Sequence, residues 1–155
     1  MAQYRILTQQ ELLSLEKEFV EFLVVNGITA PDWEQMKTDN PAKANKLLDL
    51  FSDVVFEGIF RKVQYLDFRS PDKLMSFQCL AEKMVLVCME STAGGDLMDS
   101  AFYAQAMTGK VEGLKVFTTE KPYSKKRELE LFEMTEQGCE ISKSGKLFKT
   151  ICLAL

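Results

Sequence analysis

The chain has 155 residues, of which 46% are hydrophobic and 27% are charged, and its formal net charge is −4. This balance is typical of a globular protein, and the length fits one domain with a sizeable core. Histidine is absent, which excludes the commonest general base near neutral pH and the commonest transition-metal ligand. Neither half of the chain is basic, so binding to nucleic acid is not expected.

The sequence also predicts the cellular compartment of the protein. The N-terminal residues lack the basic and apolar regions of a secretory signal, and the longest apolar run, 84–89, is far shorter than the ~20 residues of a membrane span. The four cysteines are widely spaced within apolar or mixed segments, as is typical of reduced, mostly buried thiols. We therefore expect a cytoplasmic protein without a membrane segment.

The first 40 residues predict two helices. Thr8 and Glu11 have the spacing of a capping box, in which each side chain accepts a hydrogen bond from the other residue's backbone N–H. This helix is expected to end at Gly27, because glycine readily adopts the left-handed backbone that follows a helix. Thr29 is expected to cap the second helix, which ends near Lys37.

A long helix from Asn40 to about Gln64 organises the predicted fold. Its apolar residues recur at three- and four-residue steps, which at about 100° per residue gives a broad face and a narrower stripe on roughly the opposite side. A helix that is apolar on two sides needs two neighbours, and Gly58 in the broad face is expected to let one approach closely. The broad face consists of Leu47, Leu48, Leu50, Phe51, Val54, Val55 and Ile59, and the narrower stripe of Phe56, Phe60 and Val63.

The residues after Pro71 predict mainly strands. Leu74–Leu80 and Met84–Glu90 are joined by a turn, and Leu114–Thr119 is a third β-type run. The segment Leu97–Met107 is ambiguous between helix and strand, and we favour helix. The remaining predicted strands are 129–133, with a possible bulge, and 139–141 and 147–153, which flank a hairpin turn at Ser144-Gly145.

The predicted fold is a single α+β domain, residues 1–155, with N-terminal helices packed on a mostly antiparallel C-terminal sheet. The helical layer covers about 8–66 and the sheet layer about 74–155. The change from helix to sheet near Ser70-Pro71 is interpreted as a boundary between layers of one domain.

The narrower stripe of the long helix is the main candidate for partner binding. If Phe56, Phe60 and Val63 are exposed, they form an apolar patch of the kind that marks a protein interface. If the sheet covers this side of the helix while the first helix covers the other, the three residues belong to the core.

A second candidate is a basic segment containing Lys121, Lys125, Lys126 and Arg127, close to two aromatic residues. Cations interleaved with aromatic rings bind single-stranded nucleic acid through phosphate contacts and stacking. Flanking glutamates dilute the positive field, so a solvated loop is the alternative interpretation.

Three acidic residues on the long helix, Asp49, Asp53 and Glu57, share a face and have the spacing of a divalent-cation site. Nearby basic residues instead favour a solvated helix face. Cys139 has the greatest expected exposure of the four cysteines, but a thiol nucleophile needs an activating base or a positive environment. We therefore predict no metal, no cofactor and no catalytic residue.

The segments FVEFLVVNGI (19–28), LFSDVV (50–55) and KLF (146–148) resemble a family of small, uncharacterised bacterial proteins, classed only as a domain of unknown function. The resemblance covers most of the chain and implies a bacterial cytosolic protein. It carries no catalytic or ligand motif, so it transfers no site residues.

The leading functional hypothesis is a non-catalytic interaction or regulatory protein that binds a protein partner, or a second copy of itself, through surplus apolar surface around the long helix. The alternative is a small-ligand-binding protein or a histidine-independent enzyme with an apolar pocket lined by Phe and Met side chains, of which 11 and 8 are present. The third hypothesis is weak binding of single-stranded RNA through Lys121 to Arg127.

Overall fold

The computed structural model describes residues 2–108 and 112–155, and within them the fold is α+β, as predicted. The chain divides into two compact units, residues 1–59 and 60–155, which we call the helical unit and the sheet unit. The helices are α1 (Gln9–Ser14), α2 (Glu16–Val25), α3 (Ala30–Asp39), α4 (Pro41–Arg61), α5 (Ser100–Met107), α6 (Arg127–Glu136) and α7 (Lys146–Leu153). The strands are β1 (Tyr65–Arg69), β2 (Lys73–Cys79), β3 (Lys83–Ser91), β4 (Leu114–Pro122) and β5 (Glu140–Ser142).

Caps define the helices of the helical unit much as the sequence predicts. Thr8 and Glu11 form the predicted capping box at the start of α1, and Thr29 forms a second one with Asp32 at the start of α3. Gly27 has the predicted left-handed conformation, with φ of +73°. The first predicted helix is interrupted at Leu15, so α1 and α2 are separate elements.

The sheet unit contains five antiparallel strands in the order β4-β3-β2-β1-β5. Side chains alternate between the two faces of the sheet. On one face, Leu74, Val87 and Met89 form a core cluster with Leu147 and Ile151 of α7. The other face carries Met75 and Phe77, which share a pocket with Met134 of α6.

Two predicted strands are helices. Residues 129–133 lie in α6, where Leu131 and Met134 are buried at helical spacing. Acidic side chains in its first turn favour the helix, because they complement the positive end of the helix dipole. Residues 147–153 lie in α7, and Gly145 caps that helix in a left-handed conformation where a hairpin turn was expected. The prediction of helix for 97–107 is confirmed over Ser100–Met107.

The long helix is confirmed as α4, which ends at Arg61, three residues before the predicted end. The narrower stripe is buried, so the core interpretation of its three residues holds. The broad face is only partly covered, because Phe51 is buried whereas Leu50, Val54 and Ile59 are exposed. A Cβ atom added at Gly58 would have no neighbour within 4 Å, so this glycine does not serve a close approach.

Replacing Gly58 with Ala is therefore expected to stabilise the helical unit by about 0.5–1 kcal/mol, because Ala restricts the unfolded chain and meets nothing in the folded one. Urea denaturation of the variant measures this change. Gly27→Ala is the matched control in the same unit, and it should destabilise because its φ is +73°. A Gly58→Ala variant less stable than the wild-type chain contradicts the prediction.

Candidate functional site

The three residues of the narrower stripe are all buried. In the helical unit, the Phe56 ring lies 6.0 Å from the Tyr4 ring, and the Arg5 guanidinium stacks 4.7 Å from its centre. In the sheet unit, Phe60 meets the Phe132 ring edge-on at 5.8 Å, and Val63 is also buried. Burial removes the exposed patch on which the partner-binding hypothesis for these residues depends.

The cations of the predicted basic segment do not share one surface. Lys121 and Lys126 are exposed, but the Lys125 ammonium is held by the Glu133 carboxylate at 2.6 Å. Arg127 is largely buried, and its guanidinium contacts backbone carbonyl oxygens. A patch of four free cations is therefore not formed by these residues.

Arg127 has a structural role within the sheet unit. Its guanidinium donates hydrogen bonds to the carbonyl oxygens of Phe60 at 2.9 Å, Cys79 at 3.0 Å, Leu80 at 3.1 Å and Val63. A further contact to the Glu128 carboxylate uses the fifth N–H donor of the fork. Arg127 thus joins the last turn of α4, the segment between α4 and β1, and the end of β2, and it has no donor left for a phosphate.

An exposed apolar surface with a concave shape lies in the helical unit. It is a groove of about 540 Å³ between α1, α2, α3 and α4, which we call the helical groove. Its polar lining consists of Gln9, Glu16, Glu34 and Lys37, and its apolar lining of Leu12, Leu13, Phe19, Val20, Leu23, Ala30, Trp33 and Leu48.

Aromatic packing fixes the floor of the helical groove. The Phe19 ring meets Trp33 edge-on at 5.1 Å and lies 5.0 Å from the Phe51 ring. Trp33 and Leu23 are buried, and Ala44 completes their cluster. These contacts join α2, α3 and α4, so the floor is made of side chains with little freedom to move.

The walls of the groove are open. Leu13 is 68% exposed and Val20 is 49% exposed, although both are large aliphatic side chains. Among their neighbours, Leu23 is buried and Leu12 and Phe19 are half-buried. The sequence analysis does not single out Leu13 or Val20 as a site. A signal was present, since Leu13 and Val20 extend the apolar surface of their helices beyond the stripe that the core needs.

The electrostatic surroundings of the groove are acidic. Residues 1–59 contain ten acidic and five basic side chains, a net charge of −5, whereas residues 60–155 carry +1. Within the groove, Glu34 binds the Lys37 ammonium at 3.0 Å, so this cation is already paired, and Glu16 adds a further exposed carboxylate. The arrangement favours a ligand that presents apolar and basic groups together.

A second concavity, which we call the sheet pocket, lies on the face of the sheet that carries Phe77. Its volume is about 270 Å³. It is lined by Phe68, Lys73, Met75, Phe77, Lys121, Met134, Gln137 and Cys139. A pocket with Phe and Met walls is thus present, as the small-ligand hypothesis requires.

A comparison with known protein families shows which family the chain belongs to. Residues 1–155 match the model of a family of unknown function, DUF6495. The chain belongs to this family. No curated protein and no solved structure matches the chain. Membership of the DUF6495 family confirms the expected relationship to a domain of unknown function and assigns no activity to either concavity.

The acidic row of this family member is used for structure. The Asp53 carboxylate accepts hydrogen bonds from the backbone N–H groups of Gln3 and Tyr4, at 2.8 and 3.1 Å. Glu57 accepts a 2.7 Å hydrogen bond from the Tyr4 hydroxyl. These carboxylates therefore hold the N-terminal segment on α4. In the part of the chain that the structure describes, no group of His, Cys, Asp or Glu residues is arranged to hold a metal ion.

The cysteines are poorly suited to nucleophilic catalysis. Burial raises the pKa of Cys79 to about 12, and the nearby Arg127 cation opposes this shift only in part. Burial also raises the pKa of Cys139, and the Asp67 carboxylate adds to the effect. Both thiols are therefore protonated at neutral pH, and a protonated thiol is a weak nucleophile.

Alkylation of Cys79 by iodoacetamide at pH 8 is expected to be at least about a hundredfold slower than that of glutathione, because the thiolate is the reacting species. Between pH 8 and pH 10 the rate should rise with the thiolate fraction, since the raised pKa lies above this range. Peptide mass spectrometry of the folded protein measures the rate. Labelling of Cys79 at pH 8 within tenfold of the glutathione rate contradicts the assignment.

Proposed function

We propose that this protein is a non-catalytic interaction protein whose helical groove binds an amphipathic helix of a partner protein. The observation that carries the proposal is the pair of exposed aliphatic walls, Leu13 and Val20, above an ordered aromatic floor. A helix laid in such a groove buries its own apolar side chains against these walls.

The exposed aliphatic walls of the groove, which come from two helices, favour a partner helix over a small molecule. Small-molecule sites enclose most of the ligand surface and hold a few convergent polar groups. Here the walls are half exposed or more, and the charged lining residues Glu16, Glu34 and Lys37 are themselves exposed. Side chains spaced along one face of a partner helix match an open apolar channel between helices better than a compact ligand does.

The charge of the helical unit selects the partner. Because this unit carries −5, a helix with Lys or Arg beside its apolar face gains favourable long-range attraction, whereas an acidic helix is repelled. The partner is therefore defined by its chemistry, as a basic amphipathic helix. A second copy of the helical unit has the same negative charge and is disfavoured as the occupant.

Trp33 gives a direct optical test, since it is the chain's single tryptophan and it lines the groove. A model helical peptide with Leu on one face and Lys elsewhere should change Trp33 fluorescence in a saturable titration. A peptide with the same Leu residues and Glu in place of Lys should bind at least about tenfold more weakly. Equal affinities, or no saturable change with either peptide, would overturn the proposal.

Substitutions locate the binding surface. Val20→Glu places a carboxylate in the groove wall and should lower the affinity for the Lys-containing peptide at least about tenfold. Val25→Glu is the matched control on the same helix, because Val25 is 85% exposed and does not line the groove. Circular dichroism verifies that both variants fold. Equal loss of binding in the two variants would move the site away from the groove.

We also propose that the protein works in the bacterial cytoplasm, where a regulatory or scaffolding partner would be met. All four cysteines are free thiols, which suits a reducing compartment. No helix in the described ranges 2–108 and 112–155 has the length and apolar character that crossing a membrane requires. Cell fractionation with an antibody to the chain tests the location.

A further inference from the structure

We propose that the sheet pocket is a binding site for a small organic anion with an apolar body, of the medium-chain carboxylate class. This site lies wholly within the sheet unit and is separate from the helical groove. The inference rests on three properties of the pocket, which are its apolar walls, its charged groups and its volume.

The apolar walls follow from the register of the sheet. Lys73, Met75 and Phe77 alternate along β2 and therefore project from one face. Phe68 of β1 lies directly opposite Met75, and so adds a second ring to the same side. Met134 of α6 and Gln137, the residue that caps its C-terminus, line the same pocket. Rings and thioethers of this kind pack against a flexible aliphatic chain as readily as against a planar group.

The charged lining is cationic. Lys73 stands at the start of β2 and Lys121 near the end of β4, and no described residue among those that line the pocket is acidic. Glu90 lies opposite Lys73 across the β2–β3 register and offsets part of its charge. Lys121 lies opposite the uncharged Met84 in the β3–β4 register. The neighbouring Glu120 carboxylate forms a salt bridge with Lys83 at 2.9 Å. An anionic group therefore finds a cation beside the apolar walls.

Cys139 does not oppose an anion. Because burial raises the pKa of this thiol, it stays neutral at physiological pH, and the Asp67 carboxylate that adds to this shift is paired with Arg69 at 3.7 Å. Gln137 supplies an amide that can donate a hydrogen bond to a carboxylate oxygen.

The volume limits the size of the ligand. A water molecule occupies about 30 Å³ in the liquid, so the pocket volume of about 270 Å³ holds roughly nine non-hydrogen atoms. This is slightly smaller than the usual range of about 300–1,000 Å³ for sites of drug-sized molecules. Octanoate matches the volume, and octan-1-ol is a neutral molecule of nearly the same shape.

Methionine methyl NMR tests the site, because Met75 and Met134 both line the pocket. At pH 8, titration of the full chain with octanoate should shift these two methyl signals saturably. Octan-1-ol should bind at least about tenfold more weakly, since it lacks the charge. Absence of binding, equal affinity for the two molecules, or shifts confined to methionines elsewhere would overturn the proposal.

Lysine substitutions test the role of charge while keeping the apolar walls. The double variant Lys73→Gln with Lys121→Gln should bind octanoate and octan-1-ol with equal affinity. Lys83→Gln is the matched control on the same sheet, because Lys83 pairs with Glu120 and does not line the pocket. A preference for octanoate that survives in the double variant, or is lost in the control, would overturn the assignment.

Discussion

Replacing Arg127 with Ala is expected to lower the free energy of unfolding of the sheet unit by about 3 kcal/mol or more. The side chain donates to four backbone carbonyl oxygens, three of them at 2.9–3.1 Å. Hydrogen bonds from a charged donor contribute about 1.5–3 kcal/mol each, and the carbonyls that lose their partner retain the cost of desolvation. The Phe60 and Leu80 carbonyls keep a second donor, since the Val63 N–H lies 3.3 Å from the first and the Tyr123 hydroxyl 2.7 Å from the second.

Urea denaturation followed by far-UV circular dichroism measures this loss. Lys125→Ala is the matched control, since Lys125 lies two residues away and makes a solvent-exposed ion pair with Glu133. Such pairs contribute about 0–1 kcal/mol. The stability of Arg127→Lys should be closer to that of Arg127→Ala than to that of the wild-type chain. An ammonium cannot donate hydrogen bonds to several carbonyls in the planar fork geometry of a guanidinium. If Arg127→Ala unfolds at the same urea concentration as Lys125→Ala, the structural role is refuted.

The second large effect is expected at Gly145, where Ala should destabilise the sheet unit by about 2–4 kcal/mol. Its φ is +66°, a left-handed conformation that costs an alanine about 1–2 kcal/mol. In addition, the new Cβ would lie 2.5 Å from the Tyr65 ring, which cannot retreat without losing its contact with Phe148 at 5.5 Å. Overpacking of this kind adds about 1–3 kcal/mol.

Gly94→Ala separates these two contributions. Gly94 belongs to the same unit and has φ of +83°, but a Cβ there has no neighbour within 4 Å. This variant should show the conformational cost alone. Thermal unfolding of both variants provides the comparison, and equal losses would mean that contact with the Tyr65 ring contributes nothing.

Local sequence signals predicted the elements whose ends carry explicit caps. The capping box at Thr8 and Glu11, the second cap at Thr29 and the glycine at 27 all act as expected. Alternating and apolar runs also located β2, β3 and β4. The α+β class followed from the order of these elements along the chain.

The failures have a common physical origin in short apolar segments whose period is ambiguous. Residues 129–133 and 147–153 are rich in apolar residues over lengths that suit either a strand or two helical turns. The surrounding fold decides their structure. Leu131 in α6 and Ile151 in α7 are both completely buried as parts of helices. The acidic first turn of α6 and the left-handed Gly145 before α7 are the local signals that favour helix over strand in these two segments.

For the proposed binding surface, the sequence predicts its apolar character but not its position. An excess of apolar surface around the long helix is present, but periodicity does not show which side a neighbour covers. The narrower stripe is buried, while Leu50 and Val54 of the broad face are exposed. Likewise, the sequence places Arg127 beside exposed lysines and does not reveal that backbone carbonyls of α4, of the segment after it and of β2 converge on its guanidinium.

Photo-crosslinking from the groove in living cells tests the account most directly. A photoreactive benzophenone amino acid at position 20 should give a covalent adduct with a basic amphipathic helix of another protein, identified by peptide mass spectrometry. The same group at position 25, outside the groove, should not give this adduct. Equal capture from both positions, or adducts from position 20 that lack such a helix, would contradict the proposed function.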